Sequence, residues 1–177
     1  MKLDREQARI DTCYHEAAHA VFDYNAGLII RQVYVTEKLS AMCISAIPVP
    51  PYPWQAMDQA VGLFAGEIAV RRRHGRQWQS VPFDTFVSDE DVYEDLAELE
   101  GAECDELQAL KLLRIAASSG IYGDLEACYT EALARAKGDV EVWWPEIVAV
   151  AERLRDAGRL DGGECVRLIE SADYGEE

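Results

Sequence analysis

Residues 5–27 read R-E-Q-A-R-I-D-T-C-Y-H-E-A-A-H-A-V-F-D-Y-N-A-G, and the two histidines in this stretch govern how the rest of the chain is read. Ile10, Tyr14, Ala17, Ala18 and Val21 recur at the spacing of one helix face, which predicts a helix over about residues 5–24. Asp4 is placed to cap it, Gln7 follows three positions on, and Asn25-Ala26-Gly27 supplies a stop. Inside this helix His15-Glu16-Ala17-Ala18-His19 is an H-E-x-x-H. Side chains four apart lie on one helix face, roughly 5–6 Å apart, so both imidazoles can reach a single Zn²⁺ at about 2.0–2.1 Å. Glu16, about 100° further round, flanks such an ion without being consumed as a ligand. It can take a proton from a water whose pKa zinc lowers to about 7, and pass it to a leaving amine. The blander reading is two histidines that fall four apart and merely pack or cap.

Catalytic zinc needs a third protein ligand and an open position. His74 is the remaining histidine, but Arg71-Arg72-Arg73-His74-Gly75-Arg76 reads as a basic helix end, where cations oppose a further cation. An acidic ligand is expected instead. The segment from Gln77 to Leu110 has no Lys or Arg and eleven acidic residues, and so supplies several candidates.

Outward from the first helix, Leu28 to Val35 and Met42 to Ile47 read as two short strands ending in the proline-rich connector at residues 47–54. A peptide could add as a strand along this hairpin near Val33 or Cys43. Trp54 to Arg73 follows as a helix, with Gly62 and Gly66 placed for close approach of a neighbour. After a loop, a helix begins behind Ser88 with Val92, Leu96 and Leu99 on one face. Further helices are expected near residues 105–118, 124–137, 145–157 and 163–171. Trp143-Trp144 before Pro145 reads as a hydrophobic staple, and Asp161 with Glu164 as a capping box. The fold expected is mainly α, a helical domain with a small β-hairpin or short sheet beside the histidine helix. We read residues 1–177 as a single domain, with a site-bearing portion at 1–100 and a helical C-terminal portion at 101–177.

Composition narrows the function. The 177 residues are 49% apolar and 28% charged, enough to bury a core and too apolar for a disordered tail. A net charge of −16 repels phosphate backbones and anionic lipid, which argues against nucleic-acid and membrane partners. Five cysteines without a C-x-x-C pair, no apolar stretch near about 20 residues and a charged start point to a cytoplasmic protein.

The segment CYHEAAHAVFDYNAG resembles the zinc helix of the FtsH-type proteases, which read H-E-A-G-H-A there. The likeness continues through RQVYVTEKLSAMCISAIP as a hairpin, VGLFAGEIAV beside that family's G-G-R-A-A-E helix, and VSDEDVYEDL beside its S-N-D-I segment. PEIVAVAERLRDAGRLDGGECVRLIE is similar to its closing helix pair. The resemblance implies zinc held by His15, His19 and a downstream Asp, with Glu16 as catalytic base. It points to Asp91, 72 residues after His19 and just behind Ser88, as the third ligand, with Asp95 and Asp89 open beside it.

The expected activity is therefore that of a zinc-dependent endopeptidase acting on flexible or unfolded polypeptide. No lysine ends a G-x-x-x-x-G-K-[ST] loop, so that activity is expected to be ATP-independent. The partners expected are a polypeptide substrate and, as alternatives, further copies of the chain or a separate unfoldase. A non-catalytic acidic adaptor with a structural zinc is the competing reading.

Overall fold

The computed structural model describes residues 5–46, 52–76, 79, 81–88 and 104–172. The histidine helix α1 runs Arg5–Asn25 and ends where Gly27 takes φ 76°, a left-handed conformation suited to glycine. The Leu28 N–H then returns to the Asp23 carbonyl at 2.9 Å. Strands β1 (Ile29–Val35) and β2 (Ala41–Ala46) form the predicted hairpin, antiparallel with Val33 opposite Cys43. A third strand, β3 (Arg159–Asp161), pairs antiparallel with β1 on the other side, so the order is β2-β1-β3 and β2 is an edge among the described residues.

Helix α2 (Pro53–Arg73) starts on a proline, whose missing N–H costs nothing at a first turn. Where a loop leading up to Ser88 was expected, residues Phe83–Ser88 form a short helix, α3, and the Ser88 hydroxyl donates back to the Thr85 carbonyl. The reason is tertiary. Phe86 is buried against Tyr129, ring centroids 4.6 Å apart, with Phe64 beside both. The helix predicted behind Ser88 lies outside the described residues.

Helices α4 (Asp105–Ser118), α5 (Leu125–Val142), α6 (Trp144–Ala157) and α7 (Gly162–Glu170) follow close to the expected positions. Asp124 caps α5 through the Ala127 N–H, and Asp161 caps α7 through the Glu164 N–H. The fold is mainly helical with a small antiparallel sheet.

Helix α1 is enclosed by α2, α6 and β1, while α2 also supports α4 and α5. Ala17, Ala18 and Ala20 are fully buried, and their small side chains let the helices come close. Arg72 and Arg73 reach Glu141 and Asp11, Arg71 pairs with Glu67 in its own turn, Trp143 meets Phe22 edge to face and Trp144 stacks on Tyr14. Arg71, Arg72 and Arg73 are thus paired to this chain's own acids. The exposed pairs, Arg71–Glu67 and Arg72–Glu141, contribute about 0–1 kcal/mol each, against about 1.5–3 for a buried Leu or Ile such as Leu113 or Ile147, so the apolar face sets the packing. No helix among the described residues is long and apolar enough to cross a membrane.

Candidate metal centre

One turn of α1 separates His15 from His19, and their rings meet edge to face with Nε2 atoms 3.0 Å apart. The third group is Asp105, the first residue of α4. Its Oδ2 lies 2.9 Å from His15 Nε2 and 3.1 Å from His19 Nε2. Donors around a tetrahedral zinc at about 2.0–2.1 Å stand roughly 3.3 Å from one another, so these three atoms have nearly the required spacing. Two imidazoles and one carboxylate are also the donor set and count of catalytic zinc, which keeps a position open. The residues fit a zinc ion.

The electrostatics favour positive charge at the same point. Burial works against charge on His19, but Asp105, Glu16 and Asp23 outweigh it and hold the ring's proton up to about 10. Burial would raise the Asp105 carboxyl, yet His19 and His15 hold it far below the usual carboxylate range. Helix α2 fixes the ring: a carbonyl only accepts, so His19 Nδ1–H donates to the Gly62 carbonyl at 3.0 Å and leaves Nε2 facing Asp105.

Glu16 is buried on the wall of the same cleft, a space of about 540 Å³ bounded by α1, α2, α4 and β2. Burial pushes its carboxyl up, against the pull of His19, His15 and the Cys43 backbone N–H. Met42, Cys43 and Ser45 bring the edge strand to this space. Beyond Glu16 lies Asp23, whose carboxyl burial also raises.

His15, Glu16 and His19 therefore share one cleft, and His74 stands apart, 2.9 Å from Asp11. Asp91, Asp95 and Asp89 lie outside the described residues. Asp105 does not stand out in the sequence. Its only marks are membership of the acidic segment and a place in the first turn of a predicted helix, and neither singles it out. No family model and no curated protein matches the chain. The functional reading rests on the site.

Proposed function

We propose that this chain is a zinc-dependent endopeptidase of FtsH type that cuts flexible or unfolded polypeptide, with His15, His19 and Asp105 holding the metal. The observation that carries the reading is the convergence of three zinc-type donor atoms about 3 Å apart beside a buried carboxylate, in a cleft that opens along a strand edge. Zinc, when bound there, polarises the scissile carbonyl and lowers the pKa of water to about 7. Glu16 takes the proton from the attacking water and returns it to the departing amine. Its burial suits both duties, because a carboxyl shifted upward keeps the proton long enough to deliver it. β2 has a free edge among the described residues, so an extended peptide can pair along it and bring its carbonyl to Glu16.

The Glu16→Gln variant tests the reading. It should keep one zinc per chain by elemental analysis and lose hydrolysis of an unstructured protein by about 10²-fold or more. Undiminished turnover removes Glu16 from the base role. Stoichiometric zinc in a wild-type protein that cleaves nothing favours the acidic adaptor instead.

A further inference from the structure

We propose that Gly66 is a positioning residue for His15: the absence of a side chain at this point of α2 is what seats the His15 imidazole with Nε2 turned toward His19 and Asp105. The inference rests on the metal reading above and concerns how one of its ligands is held.

Gly62 and Gly66 lie one turn apart on α2, on the side that meets the two histidines, and they serve them differently. Gly62 offers its carbonyl to His19. Gly66 offers space. A Cβ built there would stand 2.6 Å from His15 Cε1, 2.7 Å from Nδ1 and 2.8 Å from Nε2. Those are the three nearest atoms, all in one ring and all closer than carbon tolerates. The ring cannot yield without cost to the site, because its Nε2 is engaged with both His19 and Asp105. Helix propensity alone argues for alanine here, since glycine inside a helix is unfavourable relative to alanine. The contact with His15 supplies the opposing reason.

A helical glycine remote from the site serves as the control. At Gly138 on α5 an added Cβ meets nothing within 4 Å. Zinc alone, titrated into metal-free protein, is the probe. Gly66→Ala should lower zinc affinity about 10–100-fold while circular dichroism shows the helices intact, and Gly138→Ala should bind as wild type. With cobalt in place of zinc, Gly66→Ala should also alter the visible absorption of the site, which a change in helix stability does not do. Wild-type affinity in Gly66→Ala, or an equal loss in Gly138→Ala, overturns the proposal.

If Gly66→Ala instead unfolds the protein, the double variant His15→Ala/Gly66→Ala decides. Removing the ring should restore folding, and a double variant no more stable than Gly66→Ala overturns the assignment. This last comparison needs no metal. Wild-type protein that fails to bind zinc defeats the metal reading, while the paired stability measurements still test the contact itself.

Discussion

His19 gathers three carboxylates around one imidazole, and the consequence is a competition between proton and metal. Burial opposes its charge, but Asp105, Glu16 and Asp23 keep the ring protonated up to about 10 in the metal-free chain. Zinc takes the neutral ring, so binding near neutral pH must expel a proton. Apparent zinc affinity should rise by about one log unit per pH unit between about pH 7 and 9, and calorimetry in two buffers of different ionisation enthalpy should count about one proton released per ion. The sign for stability is opposite. A histidine whose folded value lies above its unfolded one stabilises fully below about 6.5 and loses that contribution as pH climbs through about 10, so the metal-free melting temperature should fall over that window. Asp105→Ala should weaken zinc about tenfold or more. Normal affinity in that variant with a loss in Asp91→Ala returns the third place to Asp91. At this scale the sequence was half legible: His15, Glu16 and His19 are fixed by local helix spacing, whereas Asp105 reaches them from 86 residues beyond His19 through packing on α2.

The elements that hold the site were legible where local chemistry decides and hidden where distant contacts do. The Asp161 half of the expected capping box could be read directly, although the Glu164 carboxylate accepts from Arg153 instead of completing it; β3, by contrast, spans three residues, too few for an alternation to show, and exists only because β1 offers an edge. Helix α3 was hidden for the same reason, since its place is set by aromatic packing from α2 and α5. The connection through β3 depends on two glycines. Gly158 ends α6 at φ 73° and accepts the Val35 N–H through its carbonyl at 2.9 Å. Gly162 opens α7 so close to β1 that any Cβ would overlap the Ile30 carbonyl, while at Gly163 the nearest atom is a side-chain oxygen of Asp161 at 3.4 Å. A backbone carbonyl in a paired strand has little freedom to move aside. Gly162→Ala should therefore lower unfolding stability in urea by about 1–3 kcal/mol, and Gly163→Ala by no more than about 0.5. Equal effects at the two positions would show that α7 can shift off the sheet.

At the scale of the molecule, the cleft and the charge together decide what the proposed endopeptidase can cut. A scissile carbonyl must reach a point beside Glu16, and Glu16 lies buried between α1 and the β2 edge, so a chain segment has to leave its own fold and run extended along Met42 to Ser45. A tightly folded domain offers such a segment only as often as it opens locally. None of the four lysines closes a phosphate-binding loop, so on the proposed reading ATP is not expected to open it. The pure chain should therefore degrade an unstructured protein readily and leave a stable folded one intact, with the same rates in the presence and absence of ATP. A net charge of −16 adds a second selection, because it repels acidic polypeptides over about 10 Å at 0.1 M salt. Among unstructured substrates a basic one should be cleaved faster than an acidic one at low salt, and the gap should close as salt screens the field. ATP-stimulated cleavage of the folded substrate by the pure chain contradicts this account. Stimulation that appears only when cell extract is added identifies a separate unfoldase, acting on the substrate before it meets the strand edge.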